Sequence, residues 1–91
     1  MVEVCKKAIV RGHVQGVGYR YTTAMQVRDI GGINGWARNC PDGSVEVVMC
    51  GESDALDRLI RWLHHGPDSA VVESVDVFDV AKQDVQGFAV R

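Results

Sequence analysis

The sequence predicts an α+β fold whose elements run in the order β-α-β-β-α-β, followed by a short extra strand. Three observations carry this. Short runs rich in β-branched or aromatic residues are each bounded by glycine, proline or a turn sequence. Leu56, Leu59, Ile60 and Leu63 fall at i, i+3, i+4 and i+7, the spacing of one apolar helix face. The chain has 91 residues, of which 46% are hydrophobic, so one packed core is expected over 1–91, with no linker and no internal repeat.

The elements follow in order. Residues 4–11 read as a first strand that ends at Gly12. A glycine-punctuated turn holds Gly12, Gly16 and Gly18. Residues 21–30 read as a helix with Tyr21, Ala24 and Met25 on one side, stopped by Gly31 and Gly32. Residues 33–38 form a second strand, and residues 40–43, Cys-Pro-Asp-Gly, a turn in which Pro41 presets φ and Gly43 supplies positive φ. Residues 44–50 are the clearest strand, with Val45, Val47 and Met49 on one face and Gly51 ending it. Ser53 is the expected N-cap of the second helix, with Asp54 in its first turn and Gly66-Pro67 as its stop. Residues 71–80 contain a fourth strand with Val71, Val75 and Val77 facing together, and residues 87–90 a short fifth. The order suggests a ferredoxin-like sandwich, an antiparallel sheet with two helices on one face and a short extra C-terminal strand. Right-handed crossovers then set the third strand antiparallel beside the first. That arrangement allows Cys5, near the start of the first strand, to lie opposite Cys50 at the end of the third, which leaves a disulfide geometrically open. Two buried free thiols are the favoured reading, because the expected cytoplasmic compartment is reducing.

Bulk properties exclude several function classes. The formal charge is −2 and the pI about 5.8, against the basic surplus of a nucleic-acid binder. The strand at residues 44–50 has no aromatic residue, unlike the RNA-reading strand of domains with this element order. No apolar run approaches the ~20 residues of a membrane span, and the first residues lack a signal-peptide pattern, so a cytoplasmic protein without membrane contact is expected. Three cysteines without C-x-x-C spacing, and His13, His64 and His65 without accompanying ligands, give no metal site.

Chemistry concentrates between the first strand and the first helix. Gly12-His13-Val14-Gln15-Gly16-Val17-Gly18-Tyr19-Arg20 joins a strand end to a helix start. A helix start presents unpaired N–H groups and partial positive charge, and glycines let successive amides converge on an anion. Arg20 adds a planar fork for two oxygens. The residue types suit a phosphoryl dianion. The nucleotide-binding loop with its G-K-[ST] ending is absent, and so is the dinucleotide glycine spacing. A cysteine-phosphatase loop needs a thiolate six residues before its arginine, and that position is Val14. A phosphoenzyme at that position is thereby excluded.

The same residues resemble the acylphosphatase family. Residues 12–20 fit the first family signature, G-x-V-Q-G-V-x-[FY]-R, at every defined position. Gly35-Trp36-Ala37-Arg38-Asn39, three residues, Gly43, Val45 and then Gly51 fit the second, G-[FYW]-[AVC]-[KRQAM]-N-x3-G-x-V-x5-G. The resemblance spans the chain. It implies a metal-independent, cofactor-free hydrolase that splits acyl phosphates into a carboxylate and inorganic phosphate. Arg20 matches the family arginine on the phosphoryl group, together with the backbone amides of Gln15, Gly16, Val17, Gly18, Tyr19 and Arg20. Asn39 matches the asparagine that orients the attacking water. The implied partners are a small acyl phosphate and inorganic phosphate as product or competing ligand, with the protein acting as a monomer. Tyr19 and Trp36 are expected in the core, and Asp42 and Glu46 as a turn and a strand-surface residue rather than an acid–base pair.

Overall fold

The computed structural model describes residues 2–91. Its elements are β1 (Glu3–His13), α1 (Tyr19–Ile30), β2 (Asn34–Asn39), β3 (Val45–Glu52), α2 (Ser53–His65), β4 (Val71–Val80) and β5 (Phe88–Val90). The strands form one sheet in the order β4-β1-β3-β2-β5. β1 pairs antiparallel with β3 and β4, and β2 pairs antiparallel with β3. β5 lies parallel to β2, so the sheet is mixed rather than purely antiparallel. Gly35 N–H donates to Gly87 O at 2.9 Å, and Gly87 N–H to Asn34 Oδ1 at 2.9 Å, which fixes where β5 begins.

Register decides which side chains enter the core. Val47 of β3 stands between Ala8 of β1 and Ala37 of β2, and Val45 stands opposite Val10. Paired residues share a face, so this face of the sheet meets the helices. Leu56, Leu59 and Leu63 of α2 are completely buried against it, as the heptad-like spacing predicts. Burying each such side chain stabilises the fold by about 1.5–3 kcal/mol. Tyr19, Thr23 and Val27 supply the inner stripe of α1.

The structure corrects several sequence expectations. α1 starts at Tyr19, two residues early, and its expected apolar side faces outward: Tyr21 is 64% and Met25 57% exposed. Thr23 replaces them inside, its hydroxyl hidden by donation to Tyr19 O at 2.8 Å. Ser53 is the first helical residue of α2, and extended Glu52 is its cap, with no side-chain capping bond. Gly51 does not end β3 but continues it, opposite Val4. A bulge in the β1–β4 ladder lets Arg11 and Gly12 face Ser74 and Val72, with Glu73 as the extra residue. Parity flips there, so Val72 turns with Val75 toward the core and Val71 lies exposed. Trp36 lies on the opposite face of the sheet, not in the core, beneath the Arg91 guanidinium at 4.3 Å. Finally, Cys5 and Cys50 are not free thiols. They face each other directly in register, with Cα atoms 4.1 Å apart, and form a disulfide.

Candidate active site

β1 and β2 run in the same direction with β3 between them, so their C-terminal ends share one edge of the sheet. The loop of residues 14–18 leaves β1 at that edge and enters α1. Asn39 closes β2 at the same edge, opposite Val45. Topology alone thus brings the two predicted motifs to one side of the molecule.

Two carbonyls at the end of the loop are tied by neighbouring side chains and the first turn of α1. Val17 O accepts from Ser69 Oγ at 2.7 Å, and Gly18 O from the Thr22 hydroxyl at 2.8 Å and the Thr22 amide at 3.0 Å. Tyr19 plunges into the core and donates its hydroxyl to Leu63 O at 2.8 Å, satisfying a carbonyl in the last turn of α2. Burial there pushes the Tyr19 phenol well above its usual range, so it stays a hydrogen-bond donor. The amide side of the loop is the reverse. Outside the turn that residues 15–18 form on themselves, no backbone N–H from residues 15–20 among the described residues donates a well-aligned hydrogen bond within the chain. Gly16 (φ 75°) and Gly18 (φ 80°) adopt left-handed conformations and alternate with residues at negative φ, the backbone pattern that turns successive amides to one side. No acidic residue lies in the first turn of α1. The loop thus places glycine-punctuated backbone and a helix start with no acidic residue side by side, a combination suited to an anion.

Charged and polar side chains lie at the same edge of the sheet. Arg20, on the first turn of α1, is half-buried and donates through Nη1 to the main-chain oxygen of Arg91. Arg91 is itself held by its amide, which donates to Ala37 O at 2.8 Å, and by its seat on Trp36. The Asn39 side chain is exposed and forms no hydrogen bond among the described residues. The turn behind it is braced. Asp42 Oδ1 accepts from the Ser44 amide at 3.0 Å and the Ser44 hydroxyl at 2.6 Å. These bonds hold the Asp42 carboxyl below its ordinary range. Burial raises the Glu46 carboxyl, but donors on Arg38 and Trp36 outweigh it and leave it lowered. Both acids are therefore structural, as expected, and neither faces the loop as an acid–base pair. His13 ends β1 and is exposed.

Three contacts at the site escaped the sequence reading. The Gln15 side chain, the Arg91 main-chain oxygen and Ser69 all act across long sequence separations. Only Gln15 left a signal, as a polar residue between Val14 and Val17 of an otherwise apolar and glycine stretch.

Fold and loop together define a ferredoxin-like α+β domain with a glycine-rich strand-to-helix loop at one sheet edge. The sequence profile of the family described as Acylphosphatase matches residues 6–90. An acylphosphatase of Photobacterium profundum is 41% identical over 91 residues, covering all of both chains. Among solved structures, an acylphosphatase from Coxiella burnetii superposes with a TM-score of 0.91 at 36% identity, covering 98% of this chain and 93% of that one. An acylphosphatase from Bacillus subtilis gives a TM-score of 0.91 at 28% identity, covering 97% and 98%. The chain belongs to the acylphosphatase family of hydrolases, whose substrates are acyl phosphates.

Proposed function

We propose that this chain cleaves carboxyl–phosphate anhydrides by direct in-line attack of water on phosphorus, without a phosphoenzyme, a metal or a cofactor. The phosphoryl oxygens lie on the amides of residues 15–20 and on the Arg20 guanidinium. Asn39 orients the water through its side-chain amide. The water oxygen–phosphorus bond forms as the bond to the acyl oxygen breaks, giving a carboxylate and inorganic phosphate. The observation that carries this reading is the loop whose Val17 and Gly18 carbonyls are tied back while its amides lack well-aligned partners outside the loop's own turn.

The chemistry asks little more of the protein. A carboxylate leaving group has a conjugate acid of pKa ~4, so it departs at neutral pH without a general acid. Phosphoryl transfer passes through a loose transition state with charge on the equatorial oxygens, which positioned donors stabilise. Asn39 does not titrate and so serves to place water rather than to take its proton. That proton passes to a phosphoryl oxygen or to solvent. The assigned groups all belong to one chain, so the proposed chemistry calls for no residue from a second copy and the reading takes the protein to act as a monomer.

Hydrolysis of benzoyl phosphate by chelator-treated protein tests the reading. Turnover is expected to survive metal removal and to be inhibited competitively by inorganic phosphate. Absence of turnover in folded protein overturns the enzymatic assignment. Turnover that vanishes with chelator and returns with added metal overturns its metal independence. Parallel rates on acetyl, carbamoyl and glyceroyl phosphates rank the acyl group.

A further inference from the structure

We infer that the Gln15 side chain positions Asn39 against the phosphate cradle, an inference that rests on the site assignment just proposed. Gln15 Nε2 donates to Cys40 O at 2.7 Å and to Ser44 O at 2.9 Å in a part-buried setting. A primary amide nitrogen carries two protons, and both are used. The acceptors belong to the turn's own ring, in which Cys40 N–H donates to Ser44 O at 2.8 Å and Gly43 N–H to Cys40 O at 3.1 Å. Cys40 directly follows Asn39. Gln15 therefore contributes its backbone to the cradle and grips with its side chain the residue beside Asn39. Among the described residues, no other side-chain hydrogen bond joins residues 14–18 to residues 40–44. This amide is the side-chain link between the loop and the turn beside Asn39, so on the site assignment above it tunes the separation of phosphate and water that the sheet sets coarsely. Misplacing a reacting group by about 1 Å costs on the order of 100-fold in rate.

Gln15 is thus a positioning residue, and its loss should separate kcat from phosphate binding. Gln15→Leu keeps bulk and removes both donors. The expected result is a kcat on benzoyl phosphate reduced by about 10- to 100-fold, with the competitive inhibition constant of inorganic phosphate changed by less than about threefold. Gln15→Glu sets a carboxylate against two carbonyl oxygens and should be slow at neutral pH. It should regain activity relative to the unsubstituted chain as the pH is lowered and the carboxyl becomes a donor. A readout free of turnover accompanies these. Amide NMR of Gln15→Leu should show shifts at Asn39, Cys40 and Gly43 while inorganic phosphate still perturbs Val17 to Arg20. Unchanged kcat and unchanged Asn39 resonances in Gln15→Leu overturn the inference. So does a phosphate constant that rises in step with the loss of kcat, because the side chain would then shape the cradle itself. If the unsubstituted chain fails to hydrolyse benzoyl phosphate, the enzymatic reading fails, and the NMR result still decides the brace.

Discussion

At the residue scale, the assigned roles of Arg20 and Asn39 predict opposite kinetic signatures. Arg20→Gln removes charge-assisted donors worth about 1.5–3 kcal/mol, so phosphate inhibition should weaken roughly 10- to 100-fold. Asn39→Ala should lower kcat by about 100-fold or more with the phosphate constant retained. Steady-state kinetics with phosphate as inhibitor checks both. Equal losses of phosphate affinity in the two variants would contradict the division of labour. Acid should act on the turn beside Asn39. The Ser44 hydroxyl and amide keep Asp42 below its ordinary 3.8, and Arg38 with Trp36 keep Glu46 below its ordinary 4.5. A lowered carboxyl favours the fold above its ordinary value, and that contribution is lost as pH falls through the lowered one. Thermal stability should therefore decline below about pH 4. Asp42→Asn, which cannot titrate, should show a shallower decline, and identical acid profiles would sink this account. Arg20 stood out as a candidate from the residue types of its loop, whereas Asn39 became one only through the resemblance to the family signature. The Gln15 brace and the Arg20–Arg91 contact were not legible, because they join positions 25 and 71 residues apart, brought together only by the sheet.

At the scale of elements, α2 and the β-rich runs were legible from periodicity, and α1 was misread. Its inner stripe includes Thr23, which reads as polar until its hydroxyl is seen bonded to Tyr19 O. Its apolar Tyr21 and Met25 face solvent, so a hydropathy pattern points the helix the wrong way. The start of α1 instead depends on Tyr19, which ties it to the end of α2. Tyr19→Phe leaves Leu63 O without that partner and should cost about 1–2 kcal/mol, read by denaturant unfolding. The bulge that aims the loop depends on Gly12, at φ 130°, where a Cβ would overlap the backbone of Val71. Gly12→Ala should destabilise by at least ~1 kcal/mol and more if the strands cannot part. Wild-type stability in that variant would show that the β1–β4 approach is loose.

At the scale of the whole molecule, the disulfide joins the start of β1 to the end of β3 across a sequence separation of 45 residues. Closing a loop of that length restricts the unfolded chain by about 4 kcal/mol in the chain-entropy treatment. Reduction, or a Cys5→Ser/Cys50→Ser double variant, should lower Tm by roughly 10 °C or more. Differential scanning calorimetry with and without reductant checks this, and an unchanged Tm would mean that the crosslink constrains nothing. The pairing was open in the sequence because the strand order sets the start of β1 beside the end of β3, while the exact register came only with the structure. Whether the thiols bond was not readable there, since the argument from compartment favoured them free. The five-stranded order was half legible: the two crossovers follow from handedness, whereas the parallel placement of β5 beside β2 rests on the Gly35, Gly87 and Asn34 contacts.

The sheet order also governs when the molecule can form. β1 is made first, yet its two neighbours are β3 and β4, with Cys5 paired to Cys50 on one side and to Val80 on the other. A chain growing from its first residue carries this inner strand without either partner until much of the sequence has been synthesised. Pairings this distant slow folding relative to helical proteins of equal length. The interval before β4 arrives is when the unpaired edges of β1 are open to other chains, so early pairing of β1 with β3 shields one of those edges during synthesis.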